Sequence, residues 1–349
     1  MDRISKCYLI GAGASHGHSP DLSSEEAPPM RCGLFVDGYS NGLLRESQFE
    51  FLLEYILEEL DIPEDPDAIE ADQLCFDEEE FFNEIYQKTI PSSDADSATT
   101  DLDASRAIGS SFYYFYELFR RYSNIFSPQG SYYTDLALHN YDTRFGVISL
   151  NYDVMLEKSI CYTGQQYHYP SDQHQNGIPI AKLHGTINLL NDFGAGYNTG
   201  NEGDFLNRVR HIVSNTELRR NIPLNFEQLH EIDYEDLALN FDSLHEPALM
   251  PPLGSAKDYR KNIIYSENWK AAEQLLEDIE ELVVIGTSIA DDDMLLVDLL
   301  ESTIDSDVTV TIAAGGNSDE IRNRVFPNNQ YEPIDAEGPY FSDYVNRRL

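Results

Sequence analysis

Three short segments carry the side chains best suited to chemistry: Asn151-Tyr152-Asp153, Lys182-Leu183-His184-Gly185 and Gly286-Thr287-Ser288. His184 has an imidazole whose ordinary pKa of ~6.5 suits it to take a proton near neutrality. Asn151 offers an amide donor and a carbonyl acceptor, so it can fix a hydroxyl or a water without carrying charge. Asp153 adds a carboxylate acceptor two residues on. Each has a plainer reading as well: an Asn that caps a helix, a His satisfied in the core, and an Asp in the first turn of a helix.

These segments need elements that bring them together, and the flanking residues supply them. Phe145–Leu150, Ile178–Leu183 and Glu281–Ile285 are apolar runs of strand length, and each ends at one of the three segments. A fourth run, Lys6-Cys7-Tyr8-Leu9-Ile10, passes into Gly11-Ala12-Gly13-Ala14-Ser15. Small residues there let a backbone turn approach a pyrophosphate, with amide hydrogens facing the anion. Ligands of open α/β sheets collect at the carboxyl ends of strands. Helical patterns at Trp269–Glu280 and Asp293–Thr303 alternate with strands at 281–285 and 308–312, which implies a parallel sheet.

The expected fold is α/β, a Rossmann-like parallel sheet with flanking helices, plus a helical insertion and an irregular acidic insertion. One domain spans 1–349, with a core of 1–44, 141–187 and 251–330, a mainly helical insertion at 45–140, a loop-rich insertion at 188–250 and a C-terminal tail at 331–349. Residues 45–88 read as acidic amphipathic helices and 91–105 as a loop or linker. In Phe112–Phe126 the aromatics Phe112, Phe115, Tyr116, Phe119 and Tyr122 recur at helical spacing and read as core. Residues 186–250 show no clear period; Asn191–Asp204 reads as a surface loop, and Arg208, Arg210, Arg219 and Arg220 as a solvated helix face.

The chain holds 62 acidic and 23 basic residues, a net charge of −39. Such a surface repels phosphate backbones and anionic lipid, which argues against direct nucleic-acid or membrane binding. With only 7 of the 23 basic residues being Lys, it also suits a protein that works in high salt, and screening would then strengthen the fold. Cys7, Cys32, Cys75 and Cys161 lie far apart without zinc-ribbon spacing and read as buried thiols. His16 and His18 read as loop residues, and no metal is expected. No run approaches the ~20 apolar residues of a membrane span, and the expected location is the cytoplasm.

A competing reading starts from Gly11 and Gly13, which match the first two positions of the dinucleotide fingerprint, while His16 stands at the third and Gly17 follows one place late. Asp37, after Leu34-Phe35-Val36, would then be the ribose ligand of a hydride-transfer enzyme. That reading gives no reason for Asn-Tyr-Asp and Lys-Leu-His-Gly.

The ordered set resembles the sirtuin family, and more closely the sirtuin-like domains of prokaryotic antiphage-defence proteins. It comprises Gly11 to Ser15, Asn151 to Asp153, Lys182 to Gly185, Pro251-Pro252, and Gly286 to Ser288 followed by Asp291, Asp292 and Asp293. The resemblance spans roughly residues 7–42 and 145–315. It implies a core that binds NAD as substrate and breaks the bond between nicotinamide and ribose. Because that leaving group is already cationic, the site needs to stabilise an oxocarbenium-like centre and orient a hydroxyl or water. The resemblance sets Asn151 and His184 beside the nicotinamide ribose and Asp153 at the carboxamide. It assigns Gly11, Ala12, Gly13 and Ser15 to the diphosphate, Ala27-Pro28-Pro29-Met30, with Pro29, to a cofactor loop, and Gly286, Thr287 and Ser288 to the adenosine half.

Protein-deacylating sirtuins carry a four-cysteine zinc module that this chain lacks, which favours water as the acceptor and an NAD glycohydrolase. The alternatives are an NAD-dependent deacylase or ADP-ribosyltransferase, and a non-catalytic NAD-binding regulatory module. The resemblance further implies restraint within a homo-oligomer or beside a partner such as a HerA-like ATPase or an Argonaute-like protein.

Overall fold

Four apolar runs of five residues become strands because nearly every side chain in them is buried, the pattern of a parallel sheet covered on both faces. The computed structural model describes residues 4–20, 27–30, 33–63, 69–89, 101–170, 172, 176–192, 220–232, 245–249, 263–289, 293–336 and 338–349. In chain order its elements are β1 (Lys6–Ile10), α1 (Ala12–His16), α2 (Leu34–Ser40), α3 (Glu50–Glu59), α4 (Glu78–Thr89), α5 (Leu102–Ile125), α6 (Tyr132–His139), β2 (Phe145–Ser149), α7 (Met155–Tyr162), β3 (Tyr167–His168) and β4 (Ile178–Lys182). They continue with β5 (Gly185–Asp192), β6 (Arg220–Pro223), α8 (Phe226–Glu231), β7 (His245–Leu249), α9 (Ile263–Leu276), β8 (Glu281–Ile285), α10 (Met294–Thr303), β9 (Thr309–Ala313), α11 (Ser318–Val325), β10 (Gln330–Tyr331) and α12 (Phe341–Arg348).

The chain divides into two compact units: Met1–Pro28, Tyr122–Thr186 and Asp258–Leu349 form the first, Pro29–Arg121 and Ile187–Lys257 the second. The first holds a parallel seven-stranded sheet in the order β10-β9-β8-β1-β2-β4-β3. With its flanking helices it is the expected Rossmann-like α/β arrangement. β1 lies between β2 and β8, so the chain moves outward from it in both directions, which makes its carboxyl end a topological switch point. The register levels the neighbouring ends: Ile10 pairs with both Ser149 and Ile285, Ser149 with Lys182, and Ile285 with Ala313. At the C-terminus, Phe341 of α12 packs edge-on against Tyr132 and Tyr133 of α6.

The second unit has an aromatic core. Phe35 stacks on Tyr114 and on Phe76, and Tyr114 donates from its hydroxyl to Leu34 O at 2.6 Å. Phe112, Phe115, Tyr116 and Phe119 on α5 are all buried there, and Tyr122, which belongs to the first unit, is buried too.

Several expectations change. α5 begins at Leu102, inside the stretch read as linker, because the Asp101 carboxylate accepts from the amides of Asp103 and Ala104 and starts the helix there. Residues 91–100 lie outside the described residues. Residues 186–250 hold a small sheet, β6-β5-β7, with β5 antiparallel to β6 around buried Ile187, Leu189 and Leu190. Arg220 lies in β6 rather than on a helix; Arg208, Arg210 and Arg219 lie outside the described residues, as do Pro251 and Pro252.

Leu34-Phe35-Val36 is helical, so Asp37 sits in the first turn of α2 rather than after a strand, and the hydride-transfer reading loses its ribose ligand. Among the described cysteines the buried-thiol expectation holds at Cys7, where burial pushes the thiol up to about 12; Cys32 lies outside the described residues. Cys75 is disulfide-bonded and Cys161 is exposed. Among the described residues no helix is long and apolar enough to cross a membrane.

Candidate functional site

Each motif of the first unit begins within a residue or two of a strand end, at one level of the sheet, so the fold presents them along one line. After β1 the chain enters the Gly11–Ser15 turn, and after β8 the Gly286–Ser288 segment, and these two interlock through their backbones. The Gly11 amide donates to Ile285 O at 2.9 Å and the Gly13 amide to Gly286 O at 2.7 Å. A Cβ on Gly11 would stand 2.5 Å from Thr287 Cβ, and one on Gly13 2.9 Å from Gly286 O. Gly286 itself has φ +64° and would drive a side chain into the Ala14 amide nitrogen.

The Gly11 and Gly13 amides are thus spent on carbonyls and are not among the amides of this turn that could face an anion. The glycines are required for the close approach of two chain segments. Beyond Gly286, the buried Ile289 adopts φ +47°, and the Arg324 guanidinium from α11 donates to Ser288 O and Ile289 O.

After β2 and β4 the pattern differs. Hydrogen bonds from Leu150 N to Ile10 O and from Leu183 N to Ser149 O extend the sheet by one residue on each strand. Asn151 and His184 thus follow the paired Ser149 and Lys182 by two residues each, on strands that in such a sheet lie ~4.8 Å apart.

Asn151 is only 7% exposed, and its amide donates to Gly11 O at 3.1 Å and to Ser15 Oγ at 2.9 Å. Its Oδ1 is buried without a hydrogen-bond partner among the described residues. Ser15 is buried too and also bonds the Tyr133 hydroxyl at 2.8 Å, so its side chain orients Asn151 rather than facing outward. Burial, and after it the charge of Asp153, holds the Tyr133 phenol well above its usual range, so it stays neutral.

His184 is partly open, with 28% of its side chain exposed. Burial lowers its pKa, opposed by the Asp293 carboxylate and by a hydrogen bond to the Leu150 backbone. Asp293 Oδ2 stands 3.9 Å from His184 Nε2, while Asp293 Oδ1 caps α10 by accepting from Leu296 N. Asp153 is buried and accepts from Met155 N at 3.0 Å; it precedes α7 by two residues instead of lying in its first turn, as its plainer reading had it.

Pro29 is buried and belongs to the second unit. His16, expected in a loop, ends α1 and its Nδ1 meets Pro28 O, while His18 lies beyond the helix and its Nδ1 meets Ser15 O. Among the described residues no group of three or more His, Cys, Asp or Glu could hold a metal.

Tyr133 and Glu157 escaped the sequence reading. Tyr133 sits in an aromatic-rich stretch with nothing to mark it, and Glu157 carries no signature within α7. Lys182 and Asp293 were visible as motif members without a role. A charged residue closing the apolar run Ile178–Ala181 was the available signal for Lys182.

Fold and geometry together define a Rossmann-like α/β unit whose polar residues gather at the switch point of its sheet. No family model and no curated protein matches the chain. Among solved structures it is similar to sirtuins, three of which follow. One is Sir2 with the inhibitor EX-527, 2'-O-acetyl-ADP-ribose and a deacetylated p53 peptide, at 12% identity and TM-score 0.38, covering 98% of this chain and 90% of that one. Another is Sir2Tm bound to a propionylated peptide, at 13%, TM-score 0.38, 98% and 89%. The third is Sir2 with a p53 peptide and NAD+, at 11%, TM-score 0.38, 98% and 90%. At these TM-scores the likeness carries no argument, and the class rests on the strand order.

Proposed function

We propose that the first unit is an NAD glycohydrolase, which uses water to cleave NAD into nicotinamide, ADP-ribose and a proton. The observation that carries this reading is the pairing at the ends of β2 and β4: a buried carboxamide with one unspent acceptor beside a partly open imidazole. A buried acceptor without a partner is costly, and a ribose hydroxyl or an attacking water supplies the missing donor. Asn151 Oδ1 holds that group and stays uncharged next to a developing cation. His184, kept neutral by its lowered pKa, takes the proton released as water attacks.

In this reading Asp153 acts through the geometry of its loop. Gly11, Gly13 and Gly286 shape the floor; Ala12 and Ser15 belong to the first turn, Thr287 and Ser288 to the adenosine side, and Pro29 to a cofactor loop. The motif order supports the sirtuin-like, antiphage-defence subtype, working in the cytoplasm under restraint by an oligomer or a defence partner. No direct nucleic-acid or membrane binding and no metal are part of the proposal.

The test is release of nicotinamide from NAD by the purified chain. Release without any acylated peptide supports the glycohydrolase. Release only with such a peptide supports a deacylase, and NAD binding that survives His184→Ala with no turnover in either chain supports a regulatory module.

A further inference from the structure

We propose that Lys182 is a positioning residue whose ammonium, paired with Glu157, holds the Asn151–Asp153 segment in register beside His184. The inference deepens the glycohydrolase reading and rests on it for its catalytic consequence. Lys182 closes β4, and its side chain is 1% exposed, as is that of Glu157. Burying two charges between a strand and the helix beside it is a poor route to stability, since apolar side chains of similar volume do as well or better.

What this pair does instead is reach across to the neighbouring loop. Lys182 Nζ donates to Asp153 O at 2.7 Å and stands 3.2 Å from Glu157 Oε1, which also accepts from the Tyr169 hydroxyl at 2.9 Å. Among the described residues Glu157 Oε2 is buried with no partner, so the pair is not built to satisfy every polar atom.

The spacing gives the contact its meaning. The Lys182 backbone pairs with Ser149, which is two residues before Asn151, and itself lies two residues before His184. Its side chain then grips the carbonyl of Asp153, two residues after Asn151. One residue thereby ties the strand that presents the imidazole to the loop that presents the carboxamide, a loop whose Asn151 is itself bonded to Gly11 O and Ser15 Oγ. Glu157, in the first turn of α7, supplies the counter-charge that makes the buried ammonium tolerable.

The test compares the parent chain with Lys182→Met and with Lys182→Met/Glu157→Gln. The double variant leaves no lone buried carboxylate and keeps the proposal testable if the single one fails to fold. Amide hydrogen exchange is read on residues 151–156 and on β1 and β8, and NAD kinetics on the same samples. In the double variant exchange at 151–156 should quicken about tenfold or more while β1 and β8 stay protected. The kcat should fall about 30-fold, with KM within about threefold.

Unchanged exchange at 151–156, or a rise in KM with kcat unchanged, overturns the positioning role. Quickened exchange with no nicotinamide released by the parent chain confirms the strut and overturns the glycohydrolase reading, so the two failures are told apart.

Discussion

The carboxyl ends of β1 and β8 and those of β2 and β4 lie in one sheet and carry motifs of equal prominence, yet they are built on opposite plans. At β1 and β8 the backbone is closed on itself: Gly11 and Gly13 spend their amides on Ile285 and Gly286, and the glycines exist for contact. At β2 and β4 the backbone only extends the sheet, and among the described residues the Oδ1 of Asn151 is left with capacity to spare, next along the sheet from the partly exposed His184. A glycine-rich turn therefore marks where two segments touch, and chemistry is better sought where a buried polar atom lacks a partner.

The sharpest way to break this comparison is Gly286→Ala, which places a side chain at φ +64° against the Ala14 backbone. It should cost about 3 kcal/mol or more, read as a lowered denaturant midpoint, or abolish folding. A stable, active variant would show that the interlock is dispensable.

On the other side, Asn151→Ala should leave NAD binding by calorimetry within about threefold while lowering kcat about 100-fold. Ser15→Ala lies between the two regions, since the hydroxyl bonds both Tyr133 and Asn151. It should cost about 1 kcal/mol of stability and about fivefold in kcat, and an unaltered kcat would mean that Asn151 is oriented by Gly11 alone.

The smallest effect is on pH. Burial holds His184 below its usual ~6.5, so loss of activity on acidification should begin below that value. Because the Asp293 carboxylate raises the ring, Asp293→Asn should move that limb to still lower pH in a pH–kcat profile. A shift upward would contradict the assignment.

The two regions were not equally legible in the sequence. The strands could be read because five-residue apolar runs ended in small or polar residues. That Asn151 and His184 each follow a strand end by two residues, on neighbouring strands, could be read from two such runs in a parallel sheet. The role of the glycines could not be read, since whether an amide faces an anion or a carbonyl depends on which distant segment packs against it, here Gly286.

Tyr133, Glu157 and the Lys182–Asp153 bond were hidden for the same reason: each is a contact between elements remote in sequence. The early start of α5 was missed because a single capping carboxylate, Asp101, outweighs a run of small polar residues in deciding where a helix begins.

The account turns on Asn151 and His184 activating water at the ribose carbon. Its most direct test is NAD turnover in heavy-oxygen water by the parent chain, Asn151→Ala and His184→Ala, with free nicotinamide and the mass of ADP-ribose followed together. The account predicts peptide-independent release by the parent, with one heavy oxygen in each ADP-ribose, and near-complete loss in both variants. Undiminished release by either variant would contradict it.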